Sequence, residues 1–223
     1  MAFTPGFTGL NLGLAPILMN RIGLEINPTN VMIVTIALTV SQLLINLAGV
    51  AIAARINNVA AYTAELGLSI VLTLLLLIIG LFVNPVQSLS FLTTSTPGDN
   101  GFLVAFMLSG LLGIWVLTGF EGAADLAEET KGARFNVPRA VVTSVVVSAI
   151  IGFFMIVALT INIPDLAATT GAPVPIVHIL ESALGSTGAL IFELVAMVAL
   201  YAGGLANMAA SSRLIFSLSR DNM

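Results

Sequence analysis

The chain has 223 residues, of which 58% are hydrophobic and 8% are charged, with a formal net charge of −4. Soluble domains are about 25% charged, so seven basic and eleven acidic residues cannot cover a soluble surface of this size. The composition excludes a soluble globule and a disordered chain, and the scarcity of basic residues excludes nucleic-acid binding. We therefore predict an all-α integral membrane protein, a multi-span helical bundle that lies in the lipid bilayer.

Five segments are apolar over about 20 residues or more, the length that an α-helix needs to cross a bilayer. They cover residues 31–53, 59–83, 102–126, 140–163 and 188–217. A shorter apolar stretch at 8–20 contains Pro16, and we expect it to be an interfacial piece or the remnant of an incomplete span. The sequence thus predicts one transmembrane domain over residues 1–223.

The connection between the fourth and fifth spans predicts a short helix of its own. Residues 175–184 place Ile176, Ile179, Leu180 and Leu184 on one helical face, at the spacing typical of an amphipathic helix. We expect this helix to precede the fifth span as a separate element.

The basic residues predict the orientation of the chain. Six of the seven lie after the first and third spans or at the end of the fifth: Arg55, Lys131, Arg134, Arg139, Arg213 and Arg220. Five antiparallel spans put these places on one side, which the positive-inside rule makes cytoplasmic. The loops 84–101 and 162–187 would then lie outside the cell membrane, and only Arg21 disagrees. Because the chain would also begin outside without a basic leader, we expect a fragment of a longer protein.

The third span has the densest polar signal. Gly119 and Gly122 bracket Glu121, and Asp125 and Glu128 follow on the same helical face. A glycine costs about 1 kcal/mol relative to alanine inside a helix, so this pair indicates either a broken helix or close helix packing. A broken helix exposes N–H and C=O groups that suit the carboxylate and ammonium of a zwitterion. A carboxylate at this depth costs about 2.5 kcal/mol or more to insert, which favours an interior position.

Other polar residues in the spans indicate structural roles. Gln42 and Asn46 lie one turn apart on the first span and favour hydrogen bonds between helices over ligand binding. Glu193, on the fifth span, indicates a carboxylate that snorkels toward the outer surface. Trp115 lies near the middle of the third span, which favours packing or gating over an interfacial position.

Enzyme signatures and metal sites are missing from the sequence. The chain has no cysteine and one histidine, which excludes thiolate and histidine-cluster metal sites. No zinc-protease, nucleophile-elbow, P-loop or dinucleotide fingerprint occurs. We predict that the chain is not an enzyme and uses no cofactor.

Three motifs in chain order resemble the amino acid–polyamine–organocation (APC) permease family. Residues 119–140 begin with Gly-Phe-Glu, continue through Glu-Glu-Thr-Lys and end with Pro-Arg-Ala. Residues 212–221 read Ser-Arg-Leu-Ile-Phe-Ser-Leu-Ser-Arg-Asp, and residues 54–58 read Ala-Arg-Ile-Asn-Asn. The resemblance covers about residues 31–223.

The resemblance implies a core of two inverted five-helix repeats, in which the five spans are helices four to eight. The third span would be the sixth helix, broken at mid-membrane where the family holds the amino and carboxyl groups of its substrate. The residues implied to line the substrate site are Trp115, Thr118, Gly119, Phe120, Glu121, Gly122, Ala123 and Asn207. Among them, Trp115 matches the position of an aromatic gate residue in the family. Asn207, on the fifth span, is implied to face the site by its alignment with the family.

The function implied is a secondary active transporter of amino acids or related amines that works by alternating access. The family's glycine-rich first helix has no counterpart in this sequence, and no lysine lies on the second span, where some proton-coupled members place a cation. The coupling ion, proton or sodium, therefore stays open. The alternative is a non-transporting truncated fragment or a structural membrane subunit.

Overall fold

The computed structural model describes residues 3–60, 67, 69–94, 101–117 and 130–220, with the backbone alone at 3–5, 50–54, 112, 114–116 and 217–218. Every regular element in these ranges is a helix, and they contain no strand, which confirms the predicted all-α class. The α-helices are α1 Phe3–Ile22, α2 Pro28–Ala48, α3 Val50–Ala60, α4 Ser69–Ile78, α5 Phe102–Val116, α6 Ala133–Ile161, α7 Leu166–Gly171 and α8 Pro175–Arg220. A π-helix, Ile79–Val83, continues α4, and a 3-10 helix covers Leu89–Thr93.

Three helices are long and apolar enough to cross a membrane by length and composition. They are α2, α6 and the Pro175–Phe216 part of α8. Apolar side chains stay exposed along them, as at Leu47, Phe153 and Val198. Such surfaces are stable beside lipid rather than water. The helices coincide with predicted spans, whereas the exact limits of those spans in a bilayer stay predictions.

The ends of α2 follow from its local sequence. Asn27 caps the helix by accepting a hydrogen bond from the backbone N–H of Asn30 at 2.9 Å, and Pro28 occupies the first turn, as both residue types favour. Gly49, with a φ of 154°, ends the helix, and α3 begins at the next residue. The first predicted span therefore covers most of α2 and the beginning of α3.

The apolar stretch at 8–20 lies within a longer helix, because α1 extends over 20 residues and contains Pro16 within it. Its interfacial or incompletely spanning character stays a prediction. A proline removes one helical hydrogen bond, but here tertiary packing compensates. Leu14, Ala15 and Met19 are fully or nearly fully buried on the side that packs against α8 and α2. Twenty residues of α-helix extend about 30 Å.

The amphipathic helix at 175–184 is confirmed as the first part of α8. Gly185 has φ 70° and ψ 174°, which interrupts the helical backbone at this point. Ile179 and Leu180 are buried on the predicted face. The second part of α8 then runs to Arg220 and carries the predicted fifth span.

The chain forms two compact units. The first comprises Met1–Leu72 and Ile163–Met223, and the second comprises Thr73–Asn162. In the first unit α8 is the central helix, and α1, α2, α3 and α7 pack against it. In the second unit α6 packs against α5, the π-helix and the 3-10 helix.

Candidate substrate site

Most of the residues that the resemblance implies for the substrate site lie outside the described residues. These are Thr118, Gly119, Phe120, Glu121, Gly122 and Ala123. The predicted break of the third span lies there too, just after the last turn of α5 at Val116. Trp115 belongs to that last turn, where the backbone alone is described.

Asn207 is the site residue whose side chain the structure describes. It lies half-buried on α8, and its Nδ2 donates to the carbonyl of Gly203, one turn earlier, at 2.9 Å. Its Oδ1 would lie 3.0 Å from a Cβ added to Gly6 of α1. The Asn207 amide is thus held on α8 at the surface where α1 packs, and glycine at position 6 leaves the room for it.

A buried amide pair lies in the same three-helix group. Asn11 of α1 and Gln42 of α2 exchange two hydrogen bonds, at 2.8 and 2.9 Å, and both side chains are 0% exposed. Asn11 also donates to Thr39 Oγ1 at 3.0 Å, and Gln42 donates to the carbonyl of Tyr201 on α8 at 3.2 Å. These bonds fix α1, α2 and α8 in one register, because an unpartnered amide would be costly in this interior.

The structural role predicted for Gln42 and Asn46 is confirmed by these contacts. The Asn46 Nδ2 donates to the carbonyl of Gln42 at 3.0 Å and reaches the carbonyl of Leu205 on α8 at 3.5 Å. Next to Gln42 in the chain, Ser41 contacts α8 through its hydroxyl, which lies 2.8 Å from the hydroxyl of Tyr201. The polar side of α2 therefore serves helix association.

Small residues let α8 approach its neighbours closely. A Cβ added at Gly204 would overlap the Gln42 amide, with Gln42 Cδ at 3.0 Å. A Cβ at Gly203 would meet the flexible end of Leu10 at 3.3 Å. Glycines at helix crossings of this kind are typical of membrane bundles.

An ion pair between α1 and α8 was missed at the level of sequence. Arg21 Nε and Nη2 donate to the two carboxylate oxygens of Glu193 at 2.8 and 2.6 Å, and Glu193 is 1% exposed. The expectation that Glu193 snorkels is wrong, because its carboxylate is buried and the two-point contact with Arg21 stabilises it more than partial solvation would. The residues are 172 positions apart. Two features of the sequence could have indicated this pair. Glu193 is an acid within a predicted span, and Arg21 is the basic residue that disagrees with the positive-inside rule.

Within the described residues no group of three or more His, Cys, Asp and Glu side chains is arranged to hold a metal ion. The polar groups described above are amides, hydroxyls and one ion pair, and their contacts hold helices together.

The whole chain, residues 1–223, matches the family model described as amino acid permease. The chain belongs to the amino acid permease family. The resemblance to the APC permeases is thereby confirmed. This permease chain is a membrane protein of a family of transporters rather than of enzymes.

Similar proteins come from fungi and plants. Amino-acid permease 2 of Neurospora crassa is 31% identical over 53% of this chain and 22% of that protein. The thiamine transporter thi9 of Schizosaccharomyces pombe is 30% identical over 63% of this chain and 24% of its own length. The amino-acid permease BAT1 of Arabidopsis thaliana is 26% identical over 80% of this chain and 37% of its own length. The permease chain thus spans from 22% to 37% of the length of these relatives. No solved structure matches it.

Proposed function

We propose that this chain is part of a secondary active transporter that moves amino acids or related amines across the cell membrane by alternating access. The observation that carries the proposal is the match to the amino acid permease family along residues 1–223. The relatives are named as amino-acid permeases and as a thiamine transporter. For this reason the proposal includes amines beside amino acids.

The proposed substrate site lies at the middle of the third span. Its residues are Trp115, Thr118, Gly119, Phe120, Glu121, Gly122, Ala123 and Asn207. A helix broken near two glycines offers free N–H groups to a substrate carboxylate and free carbonyls to an ammonium. Asn207 adds an amide from α8, and its bond to Gly203 supports this role by holding the side chain in one orientation.

The first unit has the properties of a rigid part of such a transporter. Alternating access requires one group of helices that keeps its shape while another rocks or opens. The Asn11–Gln42 amide pair and the Arg21–Glu193 ion pair support this assignment, because both join helices through buried polar contacts. Changing the register of α1 on both α2 and α8 would break both pairs together.

Uptake into proteoliposomes tests the proposal. The full-length parent of this chain, purified in detergent and reconstituted, would be supplied with labelled amino acids and polyamines one at a time. We expect saturable uptake of at least one substrate, and we expect Asn207→Leu to lower it severalfold because the amide is lost. Gly110→Ala is the control, since nothing lies within 4 Å of the added Cβ. Uptake equal to that of protein-free liposomes, without saturable binding, would favour the non-transporting fragment or structural subunit.

Glu121 is the residue proposed to couple transport to an ion, proton or sodium. If the stretch from Glu121 to Lys131 were regularly helical, the two residues would lie about 15 Å apart at 1.5 Å per residue, too far for a direct ion pair. If protonation of the carboxylate drives a gate, the Glu121→Gln variant of the full-length parent should bind substrate normally and transport it with no dependence on pH. Uptake rates across a pH series, with Glu25→Gln as the control, check this. A variant with the original rate and pH profile would remove Glu121 from the coupling role.

A further inference from the structure

The end of α4 departs from α-helical geometry. The segment Ile79–Val83 is a π-helix, and the backbone N–H of Asn84 donates to the carbonyl of Ile79, five residues earlier, at 2.8 Å. A π-helix is rare and persists where neighbouring groups hold it. Groups in the second unit that contact the Ile79–Val83 π-helix must therefore stabilise it.

Asn162 supplies the clearest contact. It caps the end of α6 and is 0% exposed. Its Nδ2 donates to the carbonyl of Leu76, three residues before the π-helix, at 2.9 Å, and to the carbonyl of Ala158 at 2.7 Å. Both amide protons are used, which fixes the orientation of the side chain. The amide therefore ties the last α-helical turn before the π-helix to the end of α6.

Gly80 allows the two helices to approach this closely. It is buried, and a Cβ added there would lie 2.7 Å from Asn162 Nδ2 and 2.9 Å from Ile161 Cδ1. No side chain fits without moving the amide or the Ile161 side chain. The first turn of the π-helix is thus in direct contact with the residue that holds it.

The side-chain amide of Asn162 also has a hydrogen-bond acceptor that is not satisfied. The Asn162 Oδ1 is buried and has no hydrogen-bond partner. An unsatisfied buried acceptor costs about 1–3 kcal/mol, and such a group in a native protein indicates stored strain or a second arrangement that satisfies it. A π-helix beside it provides a second arrangement, because its backbone N–H groups change direction when it becomes an α-helix.

We propose that Gly80 and Asn162 form a hinge at which Ile79–Val83 interconverts between a π-helix and an α-helix. In the α form, the N–H of Asn84 moves from the carbonyl of Ile79 to that of Gly80. Residues after the hinge then rotate about the helix axis, by about 100° for each residue of changed register. Phe82 and Val83, 79% and 71% exposed, report this rotation. Asn162 is the positioning residue that selects the π form, and the inference does not depend on which substrate the chain transports.

A spin label at Phe82→Cys tests the hinge in the purified chain reconstituted in lipid nanodiscs. The chain has no native cysteine, so the label is specific. We expect two motional components whose ratio changes with temperature. Asn162→Asp removes both donors at constant size, and we expect it to change that ratio about tenfold, because two hydrogen bonds of about 0.5–1.5 kcal/mol each are lost. Gly80→Ala should produce the same change from the opposite side of the contact.

Gly110→Ala is the matched control, since it adds the same methyl group in the same unit where nothing lies within 4 Å. It should leave the two components unchanged. A single component at every temperature in the original chain would overturn the proposal, even if the Asn162 variant failed to fold. Two components whose ratio responds equally to Gly80→Ala and Gly110→Ala would also overturn it.

Discussion

At the scale of single residues, the ion pair of Arg21 and Glu193 explains an exception in the charge pattern. Arg21 is the one basic residue that the positive-inside rule places on the wrong side, yet it forms two hydrogen bonds to a carboxylate that is 1% exposed. A paired arginine and glutamate carry no net charge. The pair is therefore far less costly beside a membrane than either residue alone.

Removing the carboxylate should destabilise the chain strongly. Glu193→Gln leaves the Arg21 guanidinium without its partner, and breaking a buried pair costs about 3–5 kcal/mol. We expect the lower end, since the Arg21 side chain is 31% exposed. Thermal unfolding in detergent measures the loss, with the exposed Glu25→Gln as the control. The exchanged pair, Arg21→Glu with Glu193→Arg, should recover part of the stability. Equal melting temperatures for Glu193→Gln and Glu25→Gln would contradict the stabilising role of the ion pair.

The Asn11–Gln42 pair should show strong coupling. Gln42→Leu keeps a similar size but leaves the buried Asn11 amide without its partner, at a cost of about 1–3 kcal/mol. Replacing both residues by leucine should cost less than replacing Gln42 alone, because no unsatisfied group then remains in the pair. A double-mutant cycle of unfolding free energies measures this coupling. Additive losses would mean that the two amides act independently.

At the scale of elements, the two adjacent glycines of α8 should tolerate a methyl group differently. Gly204→Ala overlaps the Gln42 amide, which is held by its own hydrogen bonds, so we expect a loss of about 1–3 kcal/mol from overpacking. Gly203→Ala meets only the flexible end of Leu10 at 3.3 Å and should cost less. Gly13→Ala, where nothing lies within 4 Å, is the control for helix propensity. Thermal unfolding should rank the variants in this order, and a reversed order for 203 and 204 would contradict the packing.

The helices were predictable where one segment of sequence decides the outcome. Continuous apolar runs predicted α2 and α6, and the 3.6-residue period predicted the helix before Gly185. The extent of α1 was not predictable, since the packing of Leu14, Ala15 and Met19 outweighs the local effect of Pro16. The partner of Glu193 was not predictable from spacing, because 172 residues separate it from Arg21. Local propensity contains no information about such distant contacts.

In the candidate site too, the sequence pattern predicts some features, whereas contacts between distant residues come only from the structure. The glycines around Glu121 predict an unusual third span, and that prediction lies outside the described residues. Asn207 was reached by alignment alone, and its position beside Gly6 of α1 came from the structure. Nothing in the sequence around position 207 identifies a glycine two hundred residues earlier as its neighbour.

At the scale of the whole molecule, composition decided the class of protein and charge predicts its orientation. With 8% charged residues, the positions of the few lysines and arginines predict which side is cytoplasmic. Arg55 in α3, Lys131 before α6, and Arg134 and Arg139 in the first turns of α6 lie on one predicted side. The loops 84–101 and 162–187 have no basic residue and are predicted to lie outside.

Cysteine labelling measures this orientation directly, because the chain has no native cysteine. Ala133→Cys lies beside the basic connection before α6, and Ala167→Cys lies in α7, where the side chain is exposed. An impermeant maleimide added to intact cells should label position 167 and leave position 133 unmodified until the membrane is permeabilised. The physical reason is that lysine and arginine resist translocation, whereas Asp99 and Asp165 do not hold their loops inside. Labelling of position 133 from outside intact cells would show that the predicted orientation is wrong and that every span has the opposite direction.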